Sequence, residues 1–247
     1  SMTGRNGANI QARVGERMGN IYGAGFARVA DPASPYFGQI IHTTTGTPTV
    51  DPTLKLQGNY NPDWMLGLQN NVSYKGLSLG FLFDYRHGGI VVSRTKTIGS
   101  TSGQLEETLY GRENGYDITL PGNGIVSEGV IKNADGSFTP NTIKITSRNW
   151  HNRYYERNNV EAAKYDATFL KLREVTIGYT IPKKLLTRIP VQDIKISLVG
   201  RNLALWTENP HFDPETMAMG GGTLIPGVED MAIPSTRNIG FNLNIKF

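Results

Sequence analysis

Alternation of apolar and polar residues dominates this chain and predicts long β-strands. Across residues 64–74 most even positions are apolar, and across residues 77–85 every odd position is Leu, Phe or Tyr. A period of two residues is typical of a strand with one apolar face. Lys75 and Gly76 separate the two runs, so we expect a tight two-residue hairpin there.

Further strands are predicted toward the C-terminus. Residues 194–199 alternate, and the last run is the clearest, with apolar residues at every odd position from Ile239 to Phe247. The run 168–180 changes phase after Leu172, which predicts a β-bulge or a break in register. A weaker, glycine-rich strand is predicted over residues 21–29.

The lengths of these runs favour strands that cross a membrane. They span about 9 to 13 residues, whereas strands of globular sheets most often have about 5 to 6 and tilted transmembrane strands about 9 to 11. The apolar face ends in aromatic residues such as Trp64, Tyr74 and Tyr179, and the opposite face carries Asn, Ser, Gly, Gln and Lys. This is typical of a transmembrane β-barrel. An antiparallel sheet with one wet face in a soluble protein gives the same alternation.

The predicted connections alternate between short and long. Residues 75–76 and 182–192 form short connections, whereas long loops are predicted over about 30–58, 86–167 and 207–234. Outer-membrane barrels have short periplasmic turns and long extracellular loops, and structureless loops of this length are otherwise uncommon. In an up-and-down sheet, the loops 86–167 and 207–234 lie at the same end of the strands. Phe247 then lies at the opposite end, with the short turns.

Composition and charge exclude several classes of protein. The 25 Lys and Arg and 21 Asp and Glu give a net charge of +4, without any block of five like charges, so we expect no nucleic-acid partner. The absence of cysteine excludes a disulfide scaffold and a thiolate zinc site. The sequence has no run of about 18 apolar residues, so no transmembrane helix is predicted. Residues 1–7 do not form a signal peptide and look like the start of a segment cut from a larger chain.

Several motifs resemble the C-terminal part of SusC/RagA-type TonB-dependent outer-membrane transporters, which are typical of Bacteroidetes. The resemblance covers nearly the whole chain, in the family's order and approximate spacing. The motifs are Gly19-Asn20-Ile21-Tyr22-Gly23, Gly58-Asn59-Tyr60-Asn61-Pro62-Asp63-Trp64, Tyr165-Asp166-Ala167-Thr168-Phe169-Leu170-Lys171-Leu172-Arg173-Glu174-Val175, Gly178-Tyr179-Thr180-Ile181-Pro182, Gly200-Arg201-Asn202-Leu203, Asp213-Pro214-Glu215 and Pro234-Ser235-Thr236-Arg237.

The resemblance implies an all-β fold, an antiparallel transmembrane barrel segment with long extracellular loops. The whole barrel would have about 22 strands around a plug, and residues 1–247 would supply five to eight of them, without the plug domain. It also implies nutrient uptake across the cell outer membrane, with a glycan or an oligopeptide as cargo. The implied partners are a SusD-like surface lipoprotein, the rest of the barrel and plug, TonB through the missing N-terminal part, and outer-membrane lipid.

One predicted loop segment, residues 148–158, is dense in aromatic, Arg and Asn side chains. Aromatic rings stack on sugars or pack on peptides, and Arg and Asn hydrogen-bond polar ligand groups. The alternative is that the rings anchor the long loop to its neighbours. The candidate ligand contacts, from this segment and from the stretch 206–215 at the start of the 207–234 loop, are Trp150, Arg153, Tyr154, Tyr155, Arg157, Trp206 and His211.

The remaining polar motifs predict neither an enzyme nor a cofactor. His211, Asp213 and Glu215 lie close together, but two carboxylates near one His are more often loop hydrogen-bonding groups, so no metal is predicted. Asn133-Ala134-Asp135-Gly136 lacks the spacing of a calcium loop and predicts a hairpin turn. The alternative function is a soluble secreted β-sandwich that binds carbohydrate or mediates adhesion, in which the face with Leu79, Phe81 and Phe83 packs against a second sheet.

Overall fold

The computed structural model describes residues 7–187, 190–220 and 222–247. Residues 1–6, which begin the chain, residues 188–189 of the 182–192 connection, and residue 221 of the Met- and Gly-rich 217–222 segment lie outside the described residues.

The described residues are predominantly β-structure. Two α-helices occur among them, α1 (Arg94–Ser102) and α2 (Ser147–Tyr154), and short 3-10 turns cover Glu106–Leu109, Glu161–Ala163 and Lys183–Leu185. The strands are β1 (Asn9–Gln11), β2 (Asn20–Phe26), β3 (Ile41–His42), β4 (Val50–Asn59), β5 (Trp64–Tyr74), β6 (Leu77–His87), β7 (Ile90–Ser93), β8 (Ile125–Val126), β9 (Val130–Lys132), β10 (Phe138–Pro140), β11 (Lys144–Ile145), β12 (Lys164–Asp166), β13 (Phe169–Thr180), β14 (Asp193–Thr207), β15 (Ala218–Gly220), β16 (Thr223–Ile225), β17 (Val228–Glu229) and β18 (Asn238–Lys246). Among the residues that the structure describes, no helix is long and apolar enough to cross a membrane.

The chain divides into two compact units. The sheet unit comprises residues 62–89, 166–215 and 233–247, and the loop unit comprises residues 1–61, 90–165 and 216–232. The sheet unit contains five antiparallel strands in the order β18, β14, β13, β6 and β5. These strands have 9 to 15 residues, compared with about 9 to 13 predicted from the alternation. The longest, β14, extends well beyond the predicted run 194–199.

The hairpin between β5 and β6 confirms the predicted tight turn. Tyr74 pairs with Leu77, which leaves only Lys75 and Gly76 in the turn. Both residues have positive φ, 47° and 89°, as a type I′ turn requires. Glycine adopts a positive φ without a steric penalty, whereas the positive φ of Lys75 carries a modest steric penalty.

The phase change in the 168–180 run is a β-bulge. The register of β13 shifts between Leu172 and Glu174 against both neighbours. Against β6 the pairing moves only from Phe83 to Leu82, so Arg173 is the extra residue there. Against β14, two residues, 202 and 203, lie opposite Arg173. Beyond the bulge, Val175, Ile177 and Tyr179 continue the apolar face on which Leu170 and Leu172 began. The bulge therefore preserves one apolar face along the whole strand.

One face of the sheet unit is continuous, apolar and exposed. The pairing register places the alternate apolar residues of all five strands side by side. Each of the following side chains is at least 42% exposed: Trp64, Leu66, Leu68, Val72, Tyr74, Leu77, Leu79, Ile177, Tyr179, Ile196, Leu198, Trp206, Ile239, Phe241, Leu243 and Ile245. The β-sandwich alternative requires a second sheet over this face, but Leu79 is 42% exposed and Phe81 and Phe83 are partly exposed.

The connections of the sheet unit follow the predicted parity. The β5–β6 and β13–β14 connections lie at one end of the strands, and the β6–β13 and β14–β18 connections lie at the other. Lys246 pairs with Asp193 at the start of β14. The last strand therefore ends on the side of the short turns, as expected.

The prediction of a loop over residues 30–58 is wrong for the last part of that range. Val50–Asn59 forms β4, which pairs with β2 through two register shifts. Pro52 lies in one of the irregular stretches, between the pairs Gly23–Lys55 and Gly25–Asp51, where its missing N–H removes no ladder hydrogen bond. The irregularities break the alternation by which a strand is recognised in the sequence.

The predicted long loop 86–167 is also not structureless. Its first two residues complete β6, and most of the remainder folds within the loop unit, which has its own core. The predicted hairpin at 133–136 is confirmed between β9 and β10. The core contains Ala8, Ile10, Ile21, Val92, Val160, Ala163, Ala218 and Val228. At Gly23 of β2, an added Cβ would lie 2.4 Å from Val160 Cγ2. A residue with a side chain therefore does not fit at position 23 unless Val160 moves.

Candidate functional site

The predicted aromatic segment forms helix α2 and a cluster of stacked rings. Thr146 caps the helix by accepting a hydrogen bond from the Asn149 backbone N–H at 3.2 Å. Trp150 and Tyr154 lie one turn apart, so their rings stack with centroids 4.5 Å apart and planes 23° apart. The ring of Tyr155 lies 4.9 Å from that of Tyr154. The rings contact one another extensively, as the anchoring alternative expects.

Neighbouring elements fix this aromatic cluster. Tyr154 packs against Phe26 of β2 with ring centroids 4.7 Å apart. Lys96 Nζ of α1 lies 4.8 Å from the centre of the Tyr155 ring and forms an ion pair with Glu107. Burial, together with the negative charge of Glu107, raises the pKa of Tyr155 to about 12, so its hydroxyl stays protonated at neutral pH.

The two arginines of the segment are more accessible than its rings. Arg153 and Arg157 are exposed, and Arg153 Nη1 lies 3.7 Å from Glu156 Oε2. Arg153 and Glu156 also line a polar depression of about 530 Å³ together with Thr45, Thr47, Asn149 and Asn152. The structure thus brings Trp150, Arg153, Tyr154, Tyr155 and Arg157 together on and just after α2.

Trp206 and His211 belong to the sheet unit. The sequence predicts a loop at Trp206, and this is wrong, because β14 extends to Thr207 and Trp206 pairs with Leu170. Trp206 is 52% exposed on the apolar face, a position typical of an aromatic side chain at the edge of a lipid-facing band. His211 lies in the connection after β14 and is partly buried.

A network of ion pairs lies on the opposite face of the sheet unit. Lys171 Nζ is buried and donates to both oxygens of Asp213, at 2.8 and 2.6 Å, and to Glu215. Arg173, the bulge residue, joins Glu215 at 2.5 Å and Asp84 of β6 at 2.6 Å. The connection after β14 is therefore tied to β13 through two carboxylates.

This network explains the roles of Asp213 and Glu215. Burial acts to raise the pKa of Glu215, but hydrogen bonds from Arg173 and Lys171 outweigh burial and lower it. Both carboxylates thus face cationic side chains. Within the described residues, no group of three or more His, Asp or Glu side chains could hold a metal ion.

Sequence reasoning missed a polar cavity between α1 and α2. It has a volume of about 280 Å³ and is lined by Ser100, Thr101, Ser102, Gly103, Thr108, Arg112, Tyr116, Ser147, Arg148 and His151. The lining residues come from segments up to about 50 residues apart in sequence. The available signal was the Ser- and Thr-rich run over residues 93–102, which begins with the helix cap Ser93 and ends at Gly103.

Comparisons with known proteins support the resemblance seen in the sequence. The chain is 23% identical over 255 aligned residues to TonB-dependent receptor P3 of Formosa agariphila, covering 95% of this chain. It is 26% identical over 194 residues to TonB-dependent receptor P26 of the same organism, covering 77% of this chain. The chain spans 23% and 17% of the lengths of these two relatives. No family model matches it.

Solved structures give the same result at the level of the fold. A structure of the RagAB peptide transporter matches 92% of this chain with a TM-score of 0.54 and 18% identity. A structure of the RagAB peptide importer in its open-open state matches 93% with a TM-score of 0.50 and 17% identity. The chain covers 22% and 23% of those two chains. The resemblance to SusC/RagA-type TonB-dependent receptors is confirmed.

Proposed function

The chain resembles SusC/RagA-type TonB-dependent receptors along 95% of its length, and from this we propose that it forms part of an outer-membrane nutrient importer. The five long strands of the sheet unit belong to the barrel wall. The loop unit belongs to the extracellular loops, which contact the cargo. The cargo is a glycan or an oligopeptide.

The exposed apolar face of the sheet unit carries this proposal. Soluble monomeric proteins rarely expose contiguous apolar patches larger than a few hundred Å². Here sixteen large apolar side chains on one face of five strands are each at least 42% exposed. Trp64 and Trp206 lie toward one end of this face, and Tyr74 and Tyr179 toward the other. A lipid-facing band between two aromatic girdles has this arrangement.

The partners follow from the proposed family. A SusD-like surface lipoprotein covers the extracellular side, the rest of the barrel closes the sheet around the plug, and TonB engages a segment outside these residues. Closure is physically required, because an unpaired strand edge in lipid leaves backbone groups unsatisfied at several kcal/mol each. The outer edges of β5 and β18 are the edges that neighbouring strands would cover.

Fractionation of cells that express the full-length protein tests this function. We expect recovery in the outer membrane, extraction only by detergent, and a shift in gel migration between unheated and heated samples. Recovery of folded protein in the soluble fraction would refute the importer and favour the secreted β-sandwich. The protein should also co-purify with a surface lipoprotein encoded in the same cell.

The exposed arginines test the loop candidates. We expect Arg153→Gln combined with Arg157→Gln to reduce uptake or lipoprotein co-purification without lowering the amount of folded barrel. Lys132→Gln, an exposed cation on β9, is the matched control. Equal uptake and equal co-purification for both variants would remove Arg153 and Arg157 from the candidate contacts. Trp150, Tyr154, Tyr155 and His211 remain further candidates for the same role.

A further inference from the structure

One end of the sheet unit, termed the short-turn end, carries a group of exposed lysines. Lys75 lies in the turn between β5 and β6, and Lys183 and Lys184 lie in the connection between β13 and β14. All three side chains are exposed. Within the part of the chain that the structure describes, none of their ammonium groups forms an ion pair. These charges are therefore available to an anion from outside the chain.

The two connections contact each other, so the lysines lie in one region. The Thr180 N–H donates to the Gly76 carbonyl at 2.8 Å. Lys75 is next to Gly76 in the chain, and Lys183 follows Thr180 by three residues. Three residues of extended chain span at most about 11 Å. Lys75, Lys183 and Lys184 are therefore treated as a single lysine patch.

Carboxylates are scarce at the short-turn end. Within residues 74–77, 181–187 and 190–193, Asp193 is the only acidic residue. It begins β14 and precedes Ile194 of the apolar face, so it belongs to the polar face. The lysine patch thus has a net positive charge on the apolar side of this end.

The opposite end of the sheet unit has a different charge. Asp63 lies just before β5, Asp166 lies shortly before β13, and Glu208 follows β14. All three are exposed, and Arg237 before β18 adds one exposed Arg. The excess of exposed positive charge therefore belongs to the short-turn end.

The lysine patch borders the exposed apolar face. Tyr74, Leu77 and Tyr179 form one row across β5, β6 and β13, and each is at least 46% exposed. Lys75 Nζ lies 5.2 Å from the centre of the Tyr74 ring. Leu185, in the β13–β14 connection, is 73% exposed. Ammonium groups beside exposed tyrosine and leucine side chains suit the boundary between lipid chains and headgroups.

We propose that the lysine patch binds the headgroups of anionic phospholipids, while Leu185 enters the apolar layer of the same leaflet. The inference rests on the proposed function, because it requires the sheet to lie in a membrane. Phosphatidylglycerol has a net negative charge, whereas the phosphate of phosphatidylcholine is neutralised by the choline of the same headgroup. Each lysine near an anionic bilayer surface strengthens binding about fivefold, so three lysines together give about a hundredfold.

Lipid binding by the full-length protein in detergent tests the proposal. Phosphatidylglycerol and phosphatidylcholine, each with the same fluorescent acyl chain, are titrated with the protein, and binding is followed by fluorescence anisotropy. We expect phosphatidylglycerol to bind at least tenfold more tightly at low ionic strength. Added salt should reduce this difference, because exposed charges are screened.

A triple variant locates the binding. Lys75→Gln, Lys183→Gln and Lys184→Gln together remove three exposed charges and keep a polar side chain at each position. We expect phosphatidylglycerol binding to weaken at least tenfold and phosphatidylcholine binding to stay unchanged. Heat-modifiable gel migration checks that the variant is folded.

A matched control removes three exposed cations outside the lysine patch. It combines Lys132→Gln, Arg148→Gln and Arg237→Gln. The control should bind both lipids like the unaltered protein, because its three positions lie outside the proposed site.

Hydrogen exchange gives a second readout that needs no variant. Residues 74–77 and 181–187 of the full-length protein should exchange more slowly in nanodiscs of phosphatidylglycerol than in nanodiscs of phosphatidylcholine. Residues 130–140, which form the β9–β10 hairpin of the loop unit, should exchange equally in both.

Three results would overturn the proposal. They are equal affinity for the two lipids, an equal loss of phosphatidylglycerol binding in the folded triple variant and the control, and equal exchange of residues 181–187 in the two kinds of nanodisc. In a protein recovered from the outer membrane, these results would refute the lipid site alone and leave the import function intact. Recovery of the full-length protein in the soluble fraction would refute both.

Discussion

Glu229 forms hydrogen bonds with the residues at the start of α1. It is fully buried on β17, and its carboxylate accepts hydrogen bonds from Ser93 Oγ at 2.7 Å and Thr95 Oγ1 at 2.6 Å. It also accepts from the backbone N–H groups of Thr95 and Ala232. A negative charge at this helix end is further stabilised by the helix dipole. One carboxylate thus joins α1 to residues 228–232.

We expect Glu229→Gln to destabilise this junction. The amide keeps the shape but places an NH₂ group against donors, so hydrogen bonds worth roughly 1.5–3 kcal/mol are weakened or lost. Hydrogen exchange over residues 90–102 and 228–232 of the full-length protein should become faster. Glu128→Gln, which alters an exposed carboxylate of the same unit, should leave these segments unchanged. Unaltered exchange in Glu229→Gln would contradict this role.

His151 predicts how the loop unit responds to acid. Its pKa is about 4 in the folded protein because it is buried and lies near Lys96, with Glu107 acting in the opposite direction and Arg112 in the same one. The unfolded chain has the ordinary value of about 6.5 and binds the proton first. The contribution of neutral His151 is therefore complete above about pH 6.5 and is lost as the pH falls toward 4.

The loss amounts to about 3 kcal/mol over that interval. Hydrogen exchange of residues 147–155, corrected for the intrinsic effect of pH, should show opening that becomes easier from pH 7 to pH 5. His151→Gln cannot take up the proton, so its opening free energy should depend less on pH, whatever its absolute stability. Identical pH profiles for the two proteins would exclude His151 as the titrating group.

At the scale of elements, the sequence predicts strands well where pairing is regular. The β5–β6 hairpin follows from two alternating runs around Lys75 and Gly76, and β18 follows from five odd apolar positions. The bulge in β13 was visible as a change of phase because the alternation of a sheet with one apolar face leaves little freedom in register. By contrast, β4 is interrupted by Pro52, and its pairing depends on β2, which lies more than 20 residues earlier.

The two helices could not be predicted from a regular pattern of apolar residues. Helix α1 consists largely of Thr, Ser and Gly, which have modest or low helix propensity. Its ends are fixed by tertiary contacts, with Glu229 at the start and Arg112 on the Gly103 carbonyl at the finish. For the same reason the cavity between α1 and α2 could not be predicted, because it depends on packing between distant segments.

The ion pairs of Lys171 connect two elements, β13 and the connection after β14. We expect Lys171→Met to destabilise the sheet unit by about 3–5 kcal/mol, because the buried Asp213 carboxylate would lose the ammonium group with which it is paired. The double variant Lys171→Met with Asp213→Leu should recover part of this loss. The measurement is the temperature at which the folded band disappears in unheated gels.

The control for this prediction lies in the same sheet. Arg201 pairs with Glu174 at 2.9 Å, but the side chains are 66% and 38% exposed, and exposed pairs contribute about 0–1 kcal/mol. Arg201→Gln should therefore lower the unfolding temperature far less than Lys171→Met. Equal effects of the two single variants would show that burial does not decide the strength of these pairs.

At the scale of the whole molecule, the difference in polarity between the two sheet faces allows a test of whether the sheet lies in a membrane or in water. Phe241 and Asn242 are adjacent near the middle of β18 and point to opposite faces. Phe241 is 82% exposed on the apolar face. In a membrane, Arg on the lipid side costs about 2–4 kcal/mol at the midplane, and in water the same change on an exposed side chain costs little.

We therefore expect Phe241→Arg to reduce the amount of full-length protein with heat-modifiable migration in the outer membrane, whereas Asn242→Arg assembles normally. Quantification of the folded and unfolded bands from isolated outer membranes checks both variants together. The reverse order, with Asn242→Arg the more damaging, would mean that the apolar face is not the lipid side. Normal assembly of both variants would mean that the apolar face is exposed to water. The choice of face for the arginine matters only if one of the two faces contacts lipid.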